Sequence, residues 1–247
     1  MSKAKALARV QRNQRITAAI AASCERHGVT VPGVDRHALR LGYIDQAPLA
    51  SVVTALQEAF GIGADGWPGN GFHAALWQDN KPSKDDVQIA VICAAQGADV
   101  AYVLGAGAAN DRWFAKTPDT GAGCDCSAFI AWSLGRRKAG GPDWRNSRGQ
   151  QNWLHTGSIV HDAAGPQQMF RQIDRPLPWS IFSYADAGGK QGHTGWVVGV
   201  RNGDLEIVDC SSSQSRKRGD AIRQRSGNWL RKRDDVIYCV PAWWDHN

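Results

Sequence analysis

The sequence has no long apolar run, which argues against a chain that threads through a membrane. No stretch approaches the roughly 20 apolar residues that a spanning helix needs, so we predict no stable membrane insertion. The apolar segment Ile16–Ser23 follows basic residues and precedes Cys24, but it is too short and too rich in Ala for an export signal. We therefore expect the chain to be made in the cytoplasm without a clear signal peptide.

The cysteines are too few and too irregularly spaced for a secreted domain stapled by disulfides. We expect these thiols to be mostly reduced. A single Cys-x-Cys pair is a weak zinc signal, and neither a metal nor an organic cofactor is predicted. The alternative is a metal-binding protein whose ligands are Cys124, Cys126, Cys210 and His193.

Acidic residues are outnumbered, with 23 Asp and Glu against 29 Lys and Arg, which gives a formal charge of +6. This excess favours an anionic partner, which can be nucleic acid, an acidic bilayer or an acidic wall polymer. The basic segment Arg216–Arg233 keeps a nucleic-acid binder open as an alternative. That segment offers only Trp229 as an aromatic platform and contains no known reader motif, so we predict no nucleic-acid partner.

Helical patterns dominate residues 1–80. Ala, Arg and Gln favour a helix from Ser2 to Cys24, and His27 and Gly28 are stop signals. Apolar residues recur at three and four residues between Pro48 and Phe60, which predicts an amphipathic helix. A glycine-rich turn follows, and then a short helix that carries Phe72, Leu76 and Trp77.

Part of this region, from about Leu39 to Asp79, resembles the small helical peptidoglycan-binding domain. The resemblance rests on five short stretches: Ala55-Leu56-Gln57, Gly61-Ile62, Asp65-Gly66, Gly69 and Ala74-Ala75-Leu76-Trp77-Gln78. It implies a wall-binding module at residues 1–80. The alternative is a helical cap on the main domain.

A second domain is predicted at residues 83–247, after the linker Asn80-Lys81-Pro82. Ser83 and Asp86 resemble a capping pair for a helix that runs to about Gln96. Another helix is predicted from Cys126 to Leu134, followed by a loop region over residues 135–178. The predicted strands are Trp179–Tyr184, Thr194–Val200, Leu205–Val208 and Val236–Val240. Helices followed by strands indicate an α+β fold, with helices packed on an antiparallel sheet.

Cys126 stands where a glycine-rich loop passes into an apolar helix. The free N–H groups at a helix N-terminus stabilise a thiolate and can bind the oxyanion of an acyl-transfer intermediate. His193 begins an apolar strand, and imidazole is the usual proton acceptor for a thiol near neutral pH. The sequence therefore offers Cys126 as a nucleophile and His193 as its base.

Asp209, on the next predicted strand, is the candidate that orients the imidazole. A three-residue hairpin loop Arg201-Asn202-Gly203 would oppose Gly195 to Asp209, so that His193 and Asp209 share one face of the sheet. A two-residue Asn-Gly turn would put them on opposite faces. In that register Cys210 or Ser212 would share the face of His193, and the assignment of Asp209 would fail.

Together these motifs resemble the NlpC-type cell-wall cysteine peptidases, which have a papain-like fold. The matching stretches are Ala101-Tyr102-Val103-Leu104-Gly105, Asp125-Cys126-Ser127-Ala128-Phe129, Gly192-His193-Thr194-Gly195 and Asp209. The resemblance implies catalytic roles for Cys126, His193 and Asp209. It implies substrate-binding roles for Tyr102, Asp125 and Ser127.

The resemblance also implies a reaction, the hydrolysis of an amide in the peptidoglycan stem peptide, often the bond after γ-D-glutamate. The same fold can instead cut the amide between muramic acid and L-alanine, transfer an acyl group, or bind the wall without catalysis. An enzyme of this kind acts on the cell wall as a phage lysis enzyme or a secreted effector. The sequence alone does not choose between these.

Overall fold

The computed structural model describes residues 7, 14–105, 123–135 and 154–244. The chain divides into two compact units, Met1–Lys81 and Pro82–Asn247. Their boundary lies inside the predicted linker. The predicted first helix falls partly outside the described residues, and its described continuous part is α1, Gln14–Arg26. None of the described helices is long and apolar enough to cross a membrane.

The described part of the first unit is helical. After α1 come α2 (Arg36–Leu41), α3 (Gln46–Ala59) and α4 (Asn70–Asp79). The amphipathic pattern is confirmed in α3, whose apolar face is buried. The short α2 was not predicted; Asp35 caps its N-terminus and Gly42 ends it in a left-handed conformation. At the end of α3, the buried amide of Gln57 holds the following loop by bonding to Asp65 and the backbone of Gly66.

The second unit combines helices with a six-stranded antiparallel sheet, which shows the α+β class. Its strands are β1 (Phe170–Ile173), β2 (Ser180–Tyr184), β3 (His193–Arg201), β4 (Asp204–Cys210), β5 (Ile222–Ser226) and β6 (Ile237–Pro241), in the order β1-β6-β2-β3-β4-β5. Its helices are α5 (Lys84–Ala95), α6 (Cys126–Ser133), α7 (Thr156–Ala164), α8 (Ser212–Arg218) and the 3-10 helix Asn228–Lys232.

The prediction of a loop region over residues 135–178 is wrong where that region is described, since it contains α7 and β1. Residues 136–153 lie outside the described part. Hydrogen bonds over a short stretch of chain hold the two elements together, because the Asp162 carboxylate accepts from the backbone N–H groups of Gln168, Met169 and Phe170. Strand β5 was also missed, since an edge strand alternates polar and buried residues over only five positions.

The hairpin between β3 and β4 has the two-residue turn, yet it reaches the pairing that the three-residue loop would have given. The turn has two residues, Asn202 and Gly203, with φ of 49° and 84°, and Arg201 pairs with Asp204. A β-bulge between Val197 and Gly199 then shifts the register by one residue. Of the two turns, the two-residue one is therefore present, and the pairing of Gly195 with Asp209 forms nevertheless because of the bulge.

The two faces of the sheet carry different partners. On one face, the indole of Trp196 donates to the Ser133 hydroxyl of α6 at 2.9 Å. On the other face, an apolar cluster is closed by Leu230 of the 3-10 helix; its buried members are Phe182, Tyr184, Val197, Leu205, Ile207 and Leu230. His193 and Asp209 lie at one end of this second face, beside the cluster.

Candidate active site

Cys126 is the first residue of α6, as the sequence predicts. Asp125 caps this helix, since its Oδ1 accepts from the Ala128 N–H at 2.8 Å. In the part of the chain that the structure describes, the N–H of Cys126 has no hydrogen-bond partner. A free N–H and the positive end of the helix dipole both face an anion formed at this point. Cys126 itself is 6% exposed.

Three cysteines lie near one another here, and their contacts separate them. The Cys124 thiol donates to the Asp125 carbonyl at 3.2 Å, and the Cys210 thiol donates to the Cys124 carbonyl at 3.4 Å. Both of these thiols are fully buried. Cys126, in contrast, lies near the imidazole of His193, and its thiol helps to raise the pKa of that imidazole. Among these three thiols, Cys126 is therefore the one beside a base.

His193 and Asp209 form the second contact of the site. The distance from His193 Nε2 to Asp209 Oδ2 is 2.6 Å, Asp209 is fully buried, and the imidazole is 14% exposed. Burial by itself lowers the pKa of His193, but the hydrogen bonds with Asp209 and Cys126 outweigh it and raise this pKa to about 9. The imidazole is therefore stabilised in its protonated form.

Gly195 makes the close approach of Asp209 to the sheet possible. A Cβ added at this glycine would lie 2.7 Å from the Cβ of Asp209 and 2.7 Å from the ring of Phe182. Both neighbours pair with Gly195 across the sheet. The missing side chain leaves the room in which the carboxylate reaches the imidazole.

Arg225 is a member of the site that the sequence analysis did not single out. Its Nε donates to Asp209 Oδ1 at 3.0 Å, and its Nη2 donates to Oδ2. Burial raises the pKa of Asp209, but hydrogen bonds from His193 and Arg225 outweigh this and lower it. No local pattern in the sequence predicted strand β5, so the sequence offered no signal for Arg225. The pairing of β5 with β4, which opposes Arg225 to Ile207, is visible only in the structure.

Aromatic rings surround the imidazole. The ring of Phe182 lies 5.8 Å from it, that of Tyr184 6.3 Å and that of Trp229 6.4 Å, between centroids. The guanidinium of Arg233 stacks on Tyr184 at 3.6 Å from the ring centre. These rings limit the access of water to the hydrogen bond between His193 and its carboxylate, which strengthens that bond.

The structure locates the three predicted substrate-binding residues close to Cys126. Tyr102 pairs with Cys124 in an isolated bridge; burial raises the pKa of its phenol, and the nearby Cys126 raises it further. Asp125 and Ser127 are each 3% exposed, and the Ser127 hydroxyl donates to Asp125. Asp125 also accepts from the Gly105 N–H. The structure thus gives these two residues a capping role, and their contact with substrate stays a prediction.

Two of the alternatives, a metal-binding protein and a nucleic-acid binder, can be compared with the structure. Among the described residues, no group of three or more His, Cys, Asp or Glu side chains is arranged to hold a metal ion. In the basic segment, three arginines pair with carboxylates: Arg223 with Asp220, Arg225 with Asp209 and Arg233 with Asp235. Part of the positive charge of the basic segment is therefore paired with carboxylates of the second unit.

Comparisons of the chain with protein families, curated proteins and solved structures found no match. The chemistry of the site is therefore argued from its own residues.

Proposed function

We propose that this chain is a cysteine peptidase that hydrolyses an amide bond of the peptidoglycan stem peptide, of the γ-D-glutamyl endopeptidase type. One observation carries the proposal: the Cys126 thiol, at the start of α6, lies near an imidazole that is held by the buried carboxylate of Asp209. This is the arrangement that activates a thiol for acyl transfer.

The reaction follows from these positions. Cys126 gives its proton to His193, and the thiolate attacks the carbonyl carbon of the scissile amide. The N–H of Cys126 donates to the oxyanion that forms. His193 then protonates the leaving amine, and the C–N bond breaks to leave a thioester on Cys126. Water, deprotonated by His193, attacks the thioester and releases the acid and the free thiol.

The papain-like assignment and the wall substrate are supported by different features. The nucleophile begins a helix that packs on an antiparallel sheet, and the base and its orienting acid lie on two adjacent strands of that sheet, β3 and β4. The wall substrate is supported by the resemblance of the motifs around Cys126 and His193 to NlpC-type peptidases. A separate helical unit at Met1–Lys81 and a formal charge of +6 are compatible with a wall-binding module and an acidic polymer.

The test is mass spectrometry of the fragments released from purified peptidoglycan under reducing conditions. We expect the unaltered protein and Cys93→Ala to create new free amines, and Cys126→Ala to create none. Cys93 is the matched control because its thiol is exposed on α5, away from the base. The fragment masses distinguish a cut within the stem from a cut at muramic acid.

Two results would contradict the proposal. Release that persists in Cys126→Ala would exclude the thiol as nucleophile. No release by the unaltered protein from walls of several chemistries, together with binding to those walls, would assign the chain as a non-catalytic wall-binding protein.

A further inference from the structure

Arg225 binds the carboxylate of Asp209 together with His193. Its Nε donates to Oδ1 at 3.0 Å and its Nη2 to Oδ2, the oxygen that also bonds the imidazole. Asp209 is fully buried, so its two partners satisfy the carboxylate without water. Bidentate hydrogen bonding of this kind fixes the plane of a carboxylate as well as its position.

The guanidinium is itself held in place. It lies over the ring of Trp229, 5.4 Å from its centre. The same ring lies 6.4 Å from the imidazole of His193 at an interplanar angle of 36°. Arg225 and the imidazole therefore share two neighbours: both bind the carboxylate of Asp209, and both lie beside the indole of Trp229.

We infer that Arg225 is a positioning residue, which orients the carboxylate of Asp209 toward His193 and limits how strongly that carboxylate stabilises the imidazolium. As a role in catalysis, this rests on the proposed function. As a statement about the electrostatics of His193, it stands without that function.

The second effect has a definite sign. A fixed cation that shares the carboxylate opposes a second positive charge on the imidazole. The other ionisable groups that face His193 are Asp209, the Cys126 thiol and the Tyr184 phenol, with Arg233 behind the phenol. If the cation of Arg225 is removed, the carboxylate acts on the imidazole alone, and the imidazolium becomes more stable.

The first experiment follows the ring signals of His193 by NMR as pH is raised, in the full chain carrying Cys126→Ala so that no thiolate contributes. We expect Arg225→Gln to raise the pKa of His193 by about one unit. The control is Arg201→Gln, since Arg201 lies on the same strand as His193 but at the opposite end of it, where its side chain is exposed. We expect this control to leave the pKa unchanged. An unchanged pKa in Arg225→Gln, or an equal rise in both variants, would overturn the inference.

The second experiment measures hydrolysis with Cys126 present and uses Arg225→Lys. This change keeps the positive charge but removes the bidentate hydrogen bonding to Asp209. We expect kcat to fall about tenfold, with KM little changed and with the pKa of His193 close to that of the unaltered protein. A kcat equal to that of the unaltered protein would overturn the orienting role. This variant still tests the orienting role if Arg225→Gln does not fold.

The two proposals fail in different ways. A raised His193 pKa in Arg225→Gln, with no wall cleavage by the unaltered protein, would refute the proposed function and leave the electrostatic inference standing. Wall cleavage that depends on Cys126, with kcat and the pKa of His193 both insensitive to Arg225, would refute the inference and leave the proposed function standing.

Discussion

Replacing His193 by Gln should remove a pH-dependent part of the stability of the second unit. The pKa of His193 is raised in the folded protein to about 9 from 6.5. A raised pKa of this kind stabilises the folded state fully below the unfolded value, and the stabilisation is lost as pH rises through the folded value. The window of the effect is therefore pH 6.5 to 9.

The size of the effect follows from the shift. The protonated imidazole contributes about 3 kcal/mol to the free energy of unfolding at pH 6, about 2 kcal/mol at pH 7.5 and almost nothing at pH 9.5. The side chain is only 14% exposed, so solvent screens its contact with Asp209 little. The difference between the unaltered protein and His193→Gln should shrink by these amounts as pH rises.

Urea unfolding at the three pH values, followed by tryptophan fluorescence, measures this difference. All tryptophans except Trp67 and Trp77 lie in the second unit, so the signal reports mainly on that unit. His161→Gln is the control, because His161 is exposed on α7; we expect its difference from the unaltered protein to stay constant with pH. A difference for His193→Gln that is constant, or that grows toward pH 9.5, would refute the reasoning.

Two further changes test how the backbone supports the site. Gly195→Val should destabilise the second unit by about 2 kcal/mol, because an added Cβ already lies 2.7 Å from the Phe182 ring. Gly199→Ala should lower the free energy of unfolding little in the same urea assay, because its Cβ meets only the flexible side chain of Glu206. Equal losses of stability in the two variants would contradict the packing argument. Asp125→Ala should cost about 1 kcal/mol through the lost cap and should also lower hydrolysis, since the nucleophile begins that helix. Ser83→Ala removes the cap of α5 and should cost as much stability while leaving hydrolysis unchanged; equal activity in the two variants would contradict the link between the cap and the site.

The hairpin shows that Gly195 pairs with Asp209 for a reason that the sequence analysis did not consider. Asn202-Gly203 is a strong local signal for a two-residue turn, and that turn forms. Without a bulge, it would oppose Gly195 to Cys210 and put Asp209 on the wrong face for His193. The bulge between Val197 and Gly199 restores the pairing. A bulge of this kind depends on packing across the sheet, so the sequence of the strand does not reveal it.

Local rules were sufficient for the elements that the chain builds from neighbouring residues. The helix that begins at Cys126, the capping pair of α5 and the apolar face of α3 follow from hydrogen bonds and side-chain spacing within a few residues, and all three were predicted. The cap that Asp125 supplies to the first of these was not predicted. The position of His193 at the start of a strand was predicted for the same reason.

Only the tertiary structure decided the contacts between residues far apart in the chain. The partner of His193 depended on a bulge, and the second partner of Asp209 depended on Arg225, which lies on an edge strand that no local pattern indicates. Such contacts form between strands that the chain brings together only when the sheet is complete. The sequence by itself therefore determined which chemical groups were available and how each is presented, and the folded sheet determined which of them meet.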